Sequence, residues 1–363
     1  NIDIIAGFGR LAGEGKVEVD GTIYEADAVI LATGARPRQM PFMQVDGKHV
    51  ISSKEALTLP TLPQSMIVVG SGAIGSEFAC LYASMGVKVT VIEYMPQMMP
   101  LEDEEVAKTM ERAFRKMRAT VLTSTTVKNV SVVDGVCHVD IEGKKGAETL
   151  TAEIVLSAVG VKSNIENIGL EELGINVERD KIVVDEHYQT SAEGIYAIGD
   201  IIPSPALAHV ASAEAIHCVE HICGLEPDAV DYSTVPSCVF TSPEVASVGI
   251  TEQRAREKGI DYKVGNFNFA AKYEFRAIIT VENETNTFGL SQMNAATGQM
   301  NNMDLTNPAI LNAAMAASPT LGALAGFADG NTLRNDAPAM LSLAGSWQAL
   351  PRLQVMAGWN YYF

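Results

Sequence analysis

Ser65-Met-Ile-Val-Val-Gly-Ser-Gly-Ala-Ile-Gly-Ser-Glu77, followed by Val87-Lys-Val-Thr-Val-Ile-Glu93, is the stretch that decides the fold. It predicts a short buried strand over Met66–Val69, a turn at Gly70, Gly72 and Gly75, a helix of about three turns, and a second apolar strand ending on an acid. Strand, glycine turn and helix in this order place G-x-G-x-x-G in the context that gives it chemical meaning. Gly70 permits the tight turn, Gly72 admits a pyrophosphate to the backbone, and Gly75 lets helix and strand pack closely. The helix N-terminus then offers unpaired N–H groups and a positive dipole end to phosphates. Glu93 lies 18 residues after Gly75, where a carboxylate can bond a ribose 2′-hydroxyl and repel a 2′-phosphate. These residues read as a dinucleotide site that prefers NAD to NADP.

A length of 363 residues allows two or three domains. The net charge of −18 leaves no basic stripe to neutralise phosphates, so no nucleic-acid partner is expected. Cys80, Cys137, Cys218, Cys223 and Cys238 are scattered and odd in number, which suggests no disulfide framework and suits a reducing, cytoplasmic setting. No run of 18 apolar residues marks a membrane helix, and no signal peptide is read at the start. The opening Asn1-Ile-Asp-Ile-Ile has no initiator Met and falls inside an apparent strand, so a fragment is expected.

Composition shifts near residue 272. Residues 1–271 hold 22 Lys or Arg and 38 Asp or Glu, whereas residues 272–363 hold four and six and are rich in Asn, Ala, Met and Leu. Such a shift marks a domain boundary or a join between unrelated sequences. Upstream of it the pattern is coherent. Lys16–Val19 and Thr22–Tyr24 read as strands paired about an Asp-Gly turn. Ala28–Ala32, Val130–Val133, Val136–Ile141, Ile154–Val159 and Ile182–Val184 read as further strands. Leu101–Met117 has helical spacing at Val106, Met110 and Phe114, and Ala206–Cys223 reads as a long helix. Alternating strands and helices of this kind build a parallel α/β sheet.

Two strand ends join the glycine turn. Ala32-Thr-Gly-Ala-Arg-Pro37 closes one, and Ala197-Ile-Gly-Asp200 closes another shortly before Ala206-Leu-Ala-His-Val-Ala211 opens a helix. A carboxylate at a strand's C-terminal end suits a ribityl hydroxyl, and a helix N-terminus can face a flavin ring. Together they describe a flavin domain with a nicotinamide domain inserted into it.

On Ala32-Thr-Gly-Ala, the turn Gly70–Glu77, Ala158-Val-Gly160, Gly199-Asp200 with Leu207-Ala-His209, and Val239-Phe-Thr-Ser-Pro-Glu-Val-Ala-Ser-Val-Gly249, residues 1–271 resemble dihydrolipoamide dehydrogenases, two-dinucleotide-domain disulfide reductases. The last run resembles the opening of that family's dimerisation domain. The resemblance implies an α/β fold: a flavin-domain remnant (1–59 and 190–232), an inserted Rossmann-like NAD domain (60–189) and the start of an α+β dimerisation domain (233–271). It implies NAD at Gly70, Ser71, Gly72, Ala73, Ile74, Gly75, Ser76, Glu77 and Glu93, with Val127 and Gly160 as backbone contacts. It implies FAD at Gly7, Thr33, Gly34, Ala35, Asp200, Ala206, Leu207, Ala208 and His209. It further implies oxidation of dihydrolipoamide by NAD, a homodimer, and lipoyl-bearing 2-oxo-acid dehydrogenase or glycine-cleavage complexes as partners. Gly160-Val-Lys-Ser-Asn164 departs from the pattern, since many relatives carry an Arg after the glycine. The family's flavin glycine motif and redox-active C-x-x-x-x-C would lie before Asn1, and its late His base has no counterpart, since no His follows residue 271. No catalytic residue is therefore assigned, and the chain is expected to be inactive.

Cys218 and Cys223 imitate the dithiol spacing, but at i, i+5 on a helix they point roughly 140° apart. They read as buried structural cysteines. His217 and His221 (i, i+4) suggest a metal pair without a third ligand, so a solvated helix face is expected and no metal site.

In the tail, Tyr273–Val281, Leu341–Ala349 and Leu353–Phe363 alternate apolar and polar. Leu353, Val355, Ala357, Trp359, Tyr361 and Phe363 share one face, as in an outer-membrane barrel hairpin with an aromatic girdle. Lys272–Thr287 and Asp336–Phe363 resemble the final strands of the long-chain fatty-acid outer-membrane transporter family, with residues 290–330 as a loop. An unrelated antiparallel β tail, a chimeric join and an outer-membrane location for that tail are the corresponding expectations. The alternative function is a fatty-acid transport fragment fused to foreign N-terminal sequence.

Overall fold

Met66, Ile67, Val68 and Val69 leave almost no surface to solvent, as a strand covered on both faces requires. In the computed structural model, which describes residues 2–269 and the backbone strands 273–280, 289–293, 300–304 and 353–357, they form the middle of a five-stranded sheet. Its order is Val50–Ile51, Ile154–Ser157, Ser65–Val69, Lys88–Ile92, Thr120–Leu122, and every neighbouring pair is parallel. Parallel neighbours need crossover connections, and helices supply two of them. Ala73–Ser84 follows the glycine turn and buries Gly75, Ser76, Ala79, Cys80, Tyr82 and Ala83. Glu104–Lys116 buries Ala107, Met110 and Phe114, with acids in its first turn and bases in its last, as the helix dipole favours. It begins three residues later than the expected Leu101, and the edge strand Val50–Ile51 comes from before residue 60.

An antiparallel meander, Thr126–Val133, Val136–Gly143 and Gly146–Ala152, covers this sheet through Cys137, Val139, Ile141 and Ala152. Its third strand was not expected from sequence. A second core, including Leu11, Leu31, Ile182, Ile195, Ile201 and Cys218, surrounds the parallel pair Val29–Leu31 and Ile195–Ala197 and the helix Ala208–Ile222. The expected strand over Ile182–Val184 shrinks to Lys181–Ile182, paired with Val177–Glu178.

Residues 1–100 with 107–235 make one compact unit, and residues 101–106 with 236–363 make another. In the second, Pro236–Val239 pairs with Val245–Val248, and Tyr262–Phe269 pairs with Tyr273–Thr280, which pairs with Leu353–Ala357. That sheet runs across the position where composition shifts. Gly289–Met293 and Met300–Asp304 form an antiparallel pair, so the loop expected over 290–330 is corrected there: the register sets Leu290 opposite Met303 and Met293 opposite Met300. The strand expected over 341–349 and the girdle at Trp359, Tyr361 and Phe363 lie outside the described residues.

Candidate functional site

The three fingerprint glycines differ in what demands them. Gly70 has φ +98, and a Cβ there would sit 2.3 Å from the Ala158 carbonyl oxygen. A Cβ on Gly75 would lie 2.0 Å from the Gly70 carbonyl oxygen and 3.2 Å from Ala158 Cβ. Both are requirements of packing between strand end and helix. Gly72 has φ −63, which any residue adopts, and nothing lies within 4 Å of its Cβ position. It caps the helix N-terminus with no side-chain hydrogen bond, leaving the first N–H groups facing open space. That space, beside an uncapped positive dipole end, fits a pyrophosphate.

Glu93 follows the strand Lys88–Ile92 and is only 7% exposed. Its Oε2 accepts from Ser71 N–H and from Ser71 Oγ, each at 2.8 Å, and its Oε1 accepts from Met95 N–H at 2.8 Å. The carboxylate is thus tied to the glycine turn itself. Ser76 is buried and donates from Oγ to the Ser71 carbonyl at 2.9 Å. Ala73 and Ile74 are exposed on the first helical turn, and Glu77 is half-buried behind them. Gly160 (φ +94) is exposed, with no atom near its Cβ position, and follows the Ala158 that Gly70 and Gly75 touch. Val127 is buried in the core at a register shift of the meander, two residues after Thr125, whose N–H donates to the Glu93 carbonyl.

The second constellation sits at the C-terminal ends of the parallel strands Val29–Leu31 and Ile195–Ala197. There Thr33 Oγ1 donates to the Asn164 carbonyl at 2.6 Å, and Asn164 Nδ2 donates to the Thr33 carbonyl at 3.0 Å. Gly34 has φ +66, and Ala35–Pro37 pairs with Val161–Ser163. Asp200 lies in the single turn Gly199–Ile201, reached directly because Ile198 N–H bonds the Leu31 carbonyl. Its half-buried carboxylate has no hydrogen-bond partner among the described residues, whereas its carbonyl accepts from Ser163 Oγ and Lys181 Nζ. Leu207 caps the helix Ala208–Ile222 without a side-chain bond, leaving Ala206, Ala208 and His209 exposed at that end. An unpartnered carboxylate and an uncapped helix start fit a flavin's ribityl and ring. Gly7 has φ +155, and a Cβ there would meet the side chains of Val19 and Asp20.

Several positions at this second site escaped the sequence. Glu214 is 0% exposed, accepts from Gly199 N–H at 2.6 Å and accepts from Tyr232 OH at 2.9 Å. Tyr188 OH lies 3.1 Å from Tyr232 OH, and burial holds the Tyr232 phenol far above its ordinary range. Arg36 makes a two-pronged bond to Glu166, and with Lys162 it holds that carboxyl well below the usual carboxylate range.

Two expectations about the long helix are corrected. Cys218 is buried and burial pushes its thiol up to about 11, but Cys223 is exposed, because it caps the helix end and faces away. No disulfide joins the described cysteines. His217 is not on a solvated face: it is buried, 3.0 Å from the Asp228 carbonyl and 3.1 Å from His187 Nδ1. His187 in turn stacks on His221 with ring centroids 3.8 Å apart. Among the described residues no group of three His, Cys, Asp or Glu could hold a metal ion, and no helix is long and apolar enough to cross a membrane.

The sequence model of the pyridine nucleotide-disulphide oxidoreductases matches residues 1–215, and that of their dimerisation domain matches residues 235–288. The chain is 46% identical over 258 residues to the dihydrolipoyl dehydrogenase of Rhizobium etli, covering 70% of this chain and 53% of that one. It is 44% identical over 285 residues to that of Bacillus subtilis, covering 74% and 60%. The chain thus spans little more than half the length of these curated relatives. Among solved structures it is similar to LpdA from Mycobacterium tuberculosis (TM-score 0.70, 28% identity, 77% of this chain and 65% of that one). It is also similar to the HOCl-induced flavoprotein disulfide reductase RclA from Escherichia coli (TM-score 0.69, 26% identity, 77% and 66%).

Proposed function

Because the chain belongs to the pyridine nucleotide-disulphide oxidoreductase family, we propose that it serves a dihydrolipoyl dehydrogenase-type reaction, in which electrons of a dihydrolipoyl group pass to NAD. One observation carries the nucleotide half: Gly72 opens an uncapped helix N-terminus to empty space within reach of a buried carboxylate. Gly70, Gly72 and Gly75 shape that cradle, Ser71, Ala73, Ile74, Ser76 and Glu77 build its helix start, and Glu93 selects the ribose. Val127 and Gly160 would add backbone contacts. FAD at Thr33–Ala35, Asp200 and Ala206–His209, with Gly7 towards its adenine, would supply the two-electron relay between dithiol and nicotinamide. Asp200 would accept from a ribityl hydroxyl, and the start of the helix Ala208–Ile222 would favour negative charge on the ring.

On this reading the flavin part comprises residues 1–59 and 190–232, the NAD part residues 60–189, and residues from 233 begin a dimerisation domain. A second copy of the chain and a lipoyl-bearing complex are the partners, in the cytoplasm. Cys218 and Cys223 supply no redox pair, so the function assigned to these residues themselves is nucleotide binding.

Fluorescence titration of the chain with NADH and NADPH tests this. Saturable binding that favours NADH is expected, and Glu93→Gln should weaken NADH and relax the preference. Equal binding of both by the unmutated chain would overturn the role of Glu93, and binding of neither would overturn the site.

A further inference from the structure

We infer that Ser71 is a positioning residue that sets the choice between NAD and NADP by aiming Glu93, without touching the ligand through its own side chain. The inference rests on the dinucleotide reading above. Ser71 is 0% exposed, so its hydroxyl is sealed from solvent and from any molecule in the cradle. That hydroxyl has two bonds. It donates to Glu93 Oε2 at 2.8 Å and accepts from Met99 N–H at 3.3 Å.

A carboxylate offers about four acceptor positions. On Glu93 two are filled on Oε2, by the N–H and the hydroxyl of Ser71, and one on Oε1, by Met95 N–H. One acceptor position remains, on Oε1. The terminal torsion of a glutamate is otherwise broad and roughly two-fold, but bonds to both oxygens fix it here. A single available lone pair at a fixed place can accept a ribose hydroxyl, and the same fixed charge repels a 2′-phosphate. Selectivity at this site therefore depends on how firmly the carboxylate is held.

The second bond of Ser71 extends the device. Met99 has φ +49, a conformation that disfavours a side chain, and its N–H bonds both the carbonyl (3.1 Å) and the hydroxyl of Ser71. Met99 ends the segment that carries the exposed Tyr94 and Met95 past the Glu93 carboxylate. One buried hydroxyl thus ties together the glycine turn, the selecting acid and the segment beside it. A fingerprint with Ala in this place would keep the backbone donor and lose both side-chain links.

The experiment titrates the full chain and its Ser71→Ala variant with NADH and NADPH, and with 5′-AMP and 2′,5′-ADP to isolate the adenosine end. Loss of one buried hydrogen bond to a charged group should lower NADH affinity roughly ten-fold. Because the carboxylate, then held by the backbone N–H groups of residue 71 and Met95 alone, is less firmly aimed, NADPH should bind no worse, and the NADH-to-NADPH ratio should fall by the same roughly ten-fold factor. The mononucleotide pair should show the same change. A purely structural loss would weaken both cofactors together, so an unchanged ratio would overturn the inference. Adding Ser71→Ala to Glu93→Gln should change the ratio no further than Glu93→Gln alone, and independent, additive effects would also overturn it. Should Ser71→Ala lose its cooperative melt, Ser71→Cys, with a weak donor of similar size, carries the same comparison. If the unmutated chain binds neither cofactor, the dinucleotide reading fails and Ser71 with it. If it binds NADH selectively and the variant does so equally, only the role of Ser71 fails.

Discussion

Gly72→Ala and Gly75→Ala, one turn of helix apart, should fail in opposite ways. At Gly72 the backbone (φ −63, ψ −171) suits alanine, and the new Cβ meets no protein atom within 4 Å. Alanine is a poorer helix N-cap than glycine by a few tenths to about 1 kcal/mol, and it stabilises through the unfolded chain by about 0.4–1 kcal/mol. The two offset, so folding stability should move by less than about 0.5 kcal/mol. The methyl would nonetheless stand in the space before the first free N–H groups, so NADH affinity should drop roughly 100-fold, about 2.7 kcal/mol. At Gly75 the Cβ would lie 2.0 Å from a backbone oxygen, which no side-chain rotation relieves. Parting strand from helix should cost about 3 kcal/mol or more, and binding should fail because the turn has moved. Urea unfolding and NADH titration on the same samples separate the two. Gly72→Ala that binds NADH within about two-fold of the parent, at full stability, would refute the placement of the pyrophosphate.

Glu214→Gln should destabilise the chain by about 1–3 kcal/mol, since a buried amide cannot accept from both Gly199 N–H and Tyr232 OH as the carboxylate does; a urea midpoint equal to the parent's would contradict that role. Arg36→Ala should cost about 0.2–1 kcal/mol at neutral pH, because both partners are more than a third exposed and screened. The folded-state carboxyl of Glu166 lies below its unfolded value, so this stability is present above the unfolded value and fades as pH falls through the folded one; a difference between the proteins that grows in acid would refute it. With a thiol reagent at pH 8, Cys223 and Cys238 should react promptly. Cys137 and Cys218, buried and each pushed up to about 11, should react only on unfolding, as mass-spectrometric mapping would show.

What could be read from sequence was local. A four-residue apolar strand, three glycines and a helix are neighbours along the chain, so their spacing carries their geometry, and Ala73–Ser84 forms where that spacing places it. The parts that escaped are long-range or weakly patterned. Gly146–Ala152 (Gly-Ala-Glu-Thr-Leu-Thr-Ala) has one large apolar residue, and its register opposite Cys137–Gly143 defines it as a strand. Glu214 looks like any solvated helix acid. What buries it is a glycine N–H 15 residues before it and a tyrosine 18 residues after it, and neither leaves a periodic signal. His217 is similar, since its burial depends on His187 and Asp228 from segments outside its helix. Glu93 shows the limit at a residue whose role the motif did suggest. Its place at the strand end follows from spacing alone, but its carboxylate is held by two backbone N–H groups and by a serine hydroxyl that the fingerprint treats as an arbitrary x. On the proposed reading, the glycine pattern specifies where a dinucleotide lies, and Ser71 between the glycines sets how sharply it is chosen.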